Sequence, residues 1–311
     1  MLLDTASLYF RAFYGVPDTV RAPDGTPVNA VRGLLDIVTR LVTEFRPTHL
    51  VACWDDDWRP QWRVDLVPGY KAHRVADEVA GAPDVEIVPD ALEMQVPIIR
   101  EVLAAVGVAV VGAPGHEADD VIGTLAATAD MPVDVVTGDR DLFQVVDDAR
   151  RVRVIYTGRG MARLEVFDDT VVFAKYGVHA AQYADMAVMR GDPSDGLPGV
   201  PGIGEKSAAQ LLDRFGDLAG IRAAATDPAA SMTPGQRAKL TAAADFLEVA
   251  PTVVEVVRDL PLPAFDAALR PLDDAQQTAL AHLAVEHGLG TTARRTAAAL
   301  AASADETSSR L

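Results

Sequence analysis

The chain has 311 residues, 49% of them hydrophobic, and a formal net charge of −17. A single cysteine, Cys53, excludes an internal disulfide framework, no histidine has a partner at zinc-ligand spacing, and no apolar run reaches membrane-spanning length. The acidic balance argues against a broadly basic nucleic-acid surface, although acids filled with divalent ions would invert the field locally.

With no basic leader at the N-terminus, the expectation is a soluble cytoplasmic protein of one large or two smaller domains. Leu2, Leu3 and Asp4 read as a short strand ending on an acid. Arg11 and the turn-rich stretch GVPDTVRAPDGTP follow as a loop. An amphipathic helix is predicted over 28–45 and a second strand over 49–54, which is followed by Asp55, Asp56 and Asp57. Helices at about 90–106 and 117–129 alternate with strands at 108–111 and 133–137. Such alternation implies a parallel α/β sheet, and ligands of such sheets bind at the carboxyl ends of the strands.

Residues 59–90 interrupt this rhythm with about 30 residues of weak periodicity. They carry Arg59, Arg63, Lys71 and Arg74 interleaved with Trp62 and Tyr70, a mixture suited to single-stranded nucleic acid.

The densest chemistry lies in GHEADDVIGTLAATADMPVDVVTGDRDLF, residues 115–143. Glu117, Asp119 and Asp120 open a helical pattern, and Asp139 and Asp141 follow the strand at 133–137. Glu117 and Asp120 share a helix face, and Asp119 is turned from them by about 100° to 200°, toward a second ion or a water. Acids at a helix start also serve the cap and the macrodipole. Here, however, Asp4, Asp55 and Asp139 all end predicted strands, which brings three further acids to the same sheet edge. So many carboxylates stay ionised together only beside a cation, and all-oxygen ligands suit Mg²⁺ or Mn²⁺.

A β-hairpin over 150–166 and helices at 169–176 and 179–189 lead into RGDPSDGLPGVPGIGEKSAAQLLDRFG, residues 190–216. Asp192 and Asp195 lie three apart on a turn, and a glycine-rich hairpin precedes a helix over 205–215. Backbone N–H groups at such a helix start can hold a phosphate. The spacing is neither a P-loop nor a Rossmann fingerprint. Residues 217–260 are predicted mostly helical with an extended piece at 253–257. A helix follows at 274–288, and 291–311 reads as a flexible tail.

The motifs PGYKAHR, GHEADDVIGTLA, TGDRDLFQ and RGDPSDGLPGVPGIGEKSA, in this order, resemble the flap endonuclease or 5′-nuclease family over roughly residues 1–290. The chain looks most like the bacterial 5′-exonuclease domain that precedes a family A DNA polymerase, here as a stand-alone protein. The resemblance implies a central, mostly parallel sheet with flanking helices in a core over 1–190, with a helical arch at about 59–90. It also implies a helix–three-turn–helix DNA-binding region within 191–290.

The resemblance assigns two or three divalent ions to Asp4, Asp55, Glu117, Asp119, Asp120, Asp139, Asp141, Asp192 and Asp195. The inner set would be Asp4, Glu117, Asp119, Asp139 and Asp141. Asp55 is preferred over Asp56 and Asp57 because it directly follows the strand. Lys71 would stabilise the scissile phosphate, Arg74 would steer it, and Tyr70 would stack on an unpaired base. Arg63 adds a DNA-binding charge, and Gly199, Val200, Gly202, Ile203, Gly204, Lys206 and Ser207 would grip the duplex backbone, with K⁺ as a further ligand there. Thr5 departs from the family, which usually has glycine after the first aspartate.

The implied activity is metal-dependent 5′-3′ exonuclease and 5′-flap endonuclease cleavage of branched DNA in replication and repair, by a monomer working with a polymerase and a ligase. A PIN-type endoribonuclease would share the acidic core without needing the glycine hairpin. A non-catalytic branched-DNA-binding module would lack some of the acids.

Overall fold

A computed structural model describes residues 1–79 and 81–308. The strands are, in chain order, β1 Leu2–Asp4, β2 Val51–Trp54, β3 Val75–Asp77, β4 Val85–Glu86, β5 Ala109–Gly112, β6 Val133–Thr137, β7 Val152–Tyr156 and β8 Glu165–Phe167. Six of them form one sheet in the order β5-β2-β1-β6-β7-β8, while β3 and β4 form a separate ribbon. Neighbours from β5 through β7 are parallel, and β8 closes the edge antiparallel.

Side-chain alternation explains why the strands read as unbroken apolar runs. Leu2, Val51, Cys53, Val133, Val135 and Val154 enter the core on one face of the sheet. Leu3, Ala52, Trp54, Val136 and Ile155 enter the core on the other. Helices α1 Thr5–Gly15 and α2 Asn29–Phe45 cover the second face. The 59–90 insertion contributes α3 Gln61–Leu66, and α4 Asp90–Glu93 leads into α5 Gln95–Ala105, also on the second face. The first face is covered by α6 Ala118–Thr128, then by α7 Asp169–Tyr176 and α8 Tyr183–Arg190.

Beyond these lie α9 Glu205–Phe215, α10 Leu218–Thr226, α11 Pro234–Ala242, α12 Ala244–Val254, α13 Asp274–Glu286 and α14 Gly290–Ser308. The chain steps from β1 to β2 and β5 on one side, then returns to β6 on the other side of β1. The progression therefore reverses between β1 and β6, which places a crevice at their carboxyl ends. Among the described residues no helix is long and apolar enough to cross a membrane.

Three features differ from the sequence reading. The reading assigns no element to the residues just after Asp4, yet α1 begins there, capped by Asp4, whose Oδ1 accepts the Ser7 N–H at 3.2 Å. Tyr9, Phe10 and Phe13 are half-buried around Leu8 and Ala12, so the helix has little polar face to betray its period. It packs so closely on α2 that a Cβ at Gly33 would lie 2.7 Å from Ala12 Cβ.

The expected helical arch is instead the short α3, a 3₁₀ turn at Ala72–Arg74 and the β3–β4 ribbon. Pro68 and Gly69 end helical structure after α3. The chain is then pinned to the 195–196 turn. Lys71 N–H donates to the Asp195 carbonyl at 2.9 Å, and a Cβ on Gly196 would sit 2.2 Å from Gly69 O.

The expected flexible tail contains α14, which docks on α2. Ala293, Thr296, Leu300, Ser303 and Ala304 are buried at helical spacing. Thr39 and Thr296 hydroxyls meet at 2.8 Å, and Ser303 Oγ donates to Pro47 O at 2.7 Å. A composition of small residues hid a stripe that suits close helix packing. Residues 309–311 of that expected tail lie outside the described residues.

Candidate active site

A cleft of about 490 Å³ opens at the carboxyl ends of β2, β1 and β6. Asp4, at the end of β1, turns Oδ2 onto the Thr137 hydroxyl at 2.6 Å. Burial, with Asp55 and Asp139 nearby, pushes its pKa up to about 7 against the Thr137 hydrogen bond. Asp55 follows β2 and accepts the Ala118 N–H at 2.8 Å, and burial raises it to about 6. Asp56 and Asp57 line a different recess.

Thr137, which ends β6, accepts the Asp139 N–H on its hydroxyl at 2.8 Å, and Asp139 Oδ1 in turn accepts the Asp141 N–H at 2.8 Å. This chain of bonds fixes the turn on which both acids sit. Burial, then Asp139, raises Asp141 to about 7, opposed by Arg190, whose Nη2 lies 3.3 Å away.

Asp119 is held well above the usual carboxylate range by burial, then by Asp4 and Asp139. It makes no protein hydrogen bond among the described residues. Nor does any cationic side chain among them pair with Asp4, Asp55, Asp119 or Asp139. Asp192 and Asp195 line the far wall, and Asp195 is raised to about 6 by burial. Asp192 Oδ1 is occupied by the Ser194 N–H at 2.7 Å.

Glu117 is only 4% exposed and fully engaged. Oε2 takes the Lys71 ammonium at 2.7 Å and Oε1 takes the Tyr70 hydroxyl at 2.8 Å. Burial disfavours the Lys71 charge, but Glu117, Tyr70 and Asp195 together outweigh it and the Lys71 pKa is raised. Tyr70 is 3% exposed, so it presents no face for stacking a base; it orients Glu117 instead. Arg74 is half-exposed on the rim, paired with Glu86 and 3.9 Å from Asp195.

Two further expected roles do not survive the geometry. Asp120 is wholly buried and both oxygens are spent: Arg63 Nη1 and Nη2 grip it at 2.9 and 2.7 Å, and the Val257 N–H donates at 2.9 Å. It is absent from the cleft lining. Arg63 is 2% exposed and also donates Nε to Val253 O at 3.1 Å, so it is an internal cation rather than a DNA contact. Local sequence carries no sign of a pairing across 57 residues. Thr5 is fully buried, its hydroxyl on Leu3 O, outside the cleft lining.

In the glycine hairpin, Gly199 (φ 63°) lies against Gly191, where a Cβ would meet its N at 2.5 Å. Val200 and Ile203 are buried anchors, while Gly202, Gly204 and Lys206 are exposed at the start of α9, with Ser207 half-buried behind them. Lys239 Nζ donates to Gly202 O at 2.8 Å, bracing the turn from α11.

Arg190 is a cation beside the cleft acids that the reading missed. It reaches Asp141, Asp192 and Glu205 at 3.3, 3.8 and 3.9 Å, and its place directly before GDPSDG was the available signal.

Whether these side chains suit divalent ions is a question of donor chemistry. The set is all oxygen, it is short of cations, and Asp119, Asp55 Oδ2 and Asp139 Oδ2 have no protein partner among the described residues. With Asp4 turned onto Thr137 and Glu117 onto Lys71, no three carboxylates among the described residues aim at one point. The donor set nevertheless fits in its chemistry, because oxygen ligands without paired cations are what hard divalent ions take.

Residues 1–177 match the 5′-3′ exonuclease N-terminal resolvase-like domain and residues 178–275 its C-terminal SAM fold. A 5′-3′ exonuclease of Streptomyces coelicolor is 62% identical over 295 residues, covering 95% of this chain and 98% of that protein. One from Mycobacterium tuberculosis is 52% identical, covering 96% and 97%. DNA polymerase I of Mycobacterium tuberculosis is 38% identical over 87% of this chain but 28% of its own length. Among solved structures, the T5 D15 protein co-crystallised with metal ions superposes with a TM-score of 0.62 at 16% identity, covering 96% of this chain and 98% of that one. Human GEN1 in complex with Holliday junction DNA gives 0.65 at 15%, covering 96% and 70%.

Proposed function

We propose a substrate and a mechanism from one premise: the chain belongs to the 5′-3′ exonuclease family, and its reaction is phosphodiester hydrolysis. The substrate is a DNA duplex with a free 5′ end or a 5′ flap. The cofactors are two or three Mg²⁺ or Mn²⁺ ions, held by Asp4, Asp119, Asp139 and Asp141, with Asp55, Asp192 and Asp195 contributing from the rim. Divalent ions bound there supply a more acidic water and neutralise charge developing on the phosphate and the leaving oxygen. The observation that carries this reading is Asp119, a carboxylate in the cleft among like charges with neither a hydrogen bond nor an ion pair among the described residues.

The chain's own residues do the positioning. Lys71 is held by Glu117 at 2.7 Å and by Trp58 O at 3.3 Å, which fixes a point charge at the cleft for a non-bridging phosphate oxygen. Arg74, over the Trp58 ring at 5.3 Å, steers the strand across the rim. Arg190 keeps Asp141 and Asp192 together. The N–H groups of Glu205, Lys206 and Ser207, where α9 has no side-chain cap, receive a duplex phosphate, with K⁺ among the hairpin carbonyls. The matching segment in DNA polymerase I supports work beside a polymerase.

The test is digestion of a 5′-labelled flap duplex with Mg²⁺, with Mn²⁺ and with chelator. Cleavage that needs either ion and is lost in Asp119→Asn is expected. Undiminished cleavage in chelator, or preference for unstructured RNA, would overturn the reading.

A further inference from the structure

The end of α12 and the segment after it touch both α6 and the Asp139–Asp141 turn, two elements that carry cleft acids, and this contact is unexplained by DNA binding. Arg63 Nε donates to Val253 O at 3.1 Å, and Asp120 Oδ1 accepts the Val257 N–H at 2.9 Å. Thr124 Oγ donates to Val257 O and accepts the Leu260 N–H, both at 3.2 Å. The strap lies so close on α6 that a Cβ at Gly123 would meet Val257 O at 2.7 Å. These contacts bind residues 253–260 to the helix that begins beside Glu117 and Asp119.

The same strap is bound to the Asp139–Asp141 turn by one side chain. Gln144 is 4% exposed. Its Nε2 donates to Asp141 O at 2.9 Å and to Val254 O at 3.1 Å, and its Oε1 accepts the Val256 N–H at 3.0 Å. Both amide hydrogens and the amide oxygen are used, which fixes the orientation of the group. Arg258 Nη2 closes the arrangement on Gln144 O at 2.8 Å from the surface.

We infer that Gln144 is a positioning residue that sets the separation between Asp119 on α6 and Asp141 on its turn, by tying that turn to the strap that α6 also holds. Asp119 and Asp141 come from different elements. The β6 strand fixes only one end of the turn, so without Gln144 the carbonyl of Asp141 has no anchor to the strap. The proposal rests on the metal-binding reading of the cleft. Partners that orient ligands in this way are worth about 10- to 100-fold in metal affinity.

The experiment compares the full chain with Gln144→Met, which keeps volume and removes all three side-chain bonds, and with Arg258→Met at an exposed position. Mn²⁺ binding is titrated by electron paramagnetic resonance. Hydrogen exchange of residues 139–146 is followed in metal-free protein, and DNA affinity is measured in chelator.

Gln144→Met is expected to weaken Mn²⁺ binding about 10-fold or more and to speed exchange in 139–146, with DNA affinity in chelator unchanged. Arg258→Met is expected to move both readouts in the same direction by less. A parent chain that binds no Mn²⁺ would remove the metal reading itself. A parent that binds, beside Gln144→Met with the same isotherm and the same exchange, would overturn the positioning role alone. If Gln144→Met does not fold, Arg258→Met decides: unchanged isotherm and exchange would overturn the proposal.

Discussion

Replacing Arg63 with methionine separates an internal role for the Arg63–Asp120 pair from a role in binding DNA or metal. The guanidinium grips Asp120 through two bonds, and the two side chains are 3% and 0% exposed. Methionine keeps much of the stem but leaves a buried carboxylate with backbone N–H partners alone. Breaking such a pair from one side costs about 3–5 kcal/mol. Loss of the Nε bond to Val253 adds about 1 kcal/mol. Urea unfolding of Arg63→Met should therefore report a stability lower by about 4–6 kcal/mol. Adding Asp120→Leu should restore most of it, because no charge is then stranded. Flap-duplex affinity of the folded protein in chelator should be unchanged. An unaltered unfolding curve with weakened DNA binding would refute this reasoning and return Arg63 to the DNA surface and Asp120 to the metal.

The pH dependence follows from the raised carboxyls. Asp4 and Asp141 near 7, and Asp55 and Asp195 near 6, lie above the ordinary 3.8, so their contribution favours the fold below that value and is lost as pH rises through 6 to 7. Mg²⁺ needs them ionised, so its increment in melting temperature should grow over the same interval; an increment independent of pH would contradict the assignment. Gly33→Ala forces a methyl against Ala12 and Val16 and should cost about 1–3 kcal/mol in urea unfolding, with cleavage per folded molecule retained. Leu300→Ala should cost about 2–5 kcal/mol, because Leu300 is 1% exposed under α2, and no loss would mean that α14 does not hold its place in solution.

What the sequence made legible follows from where physical information is local. Apolar runs at 51–54 and 133–137 are buried on both faces, so they mark themselves as parallel strands, and chain direction then places Asp4, Asp55 and Asp139 at one edge. Glycines at 199 and 202 mark their turns because φ is positive there. Partner choice is not local. Arg63 looks like any loop cation until Asp120, Val253 and Trp62 enclose it, and Tyr70 looks like a stacking ring until its hydroxyl meets Glu117. The aromatic α1 and the alanine-rich α14 were hidden for opposite reasons, one lacking a polar face and the other lacking large apolar residues.

The central claim concerns cations at the meeting point of β1, β6 and α6, and anomalous diffraction from crystals grown with Mn²⁺ addresses it directly. The account predicts manganese peaks between Asp4, Asp119, Asp139 and Asp141, with Asp120 still on Arg63. Peaks elsewhere, with those four carboxylates unmoved, would contradict it.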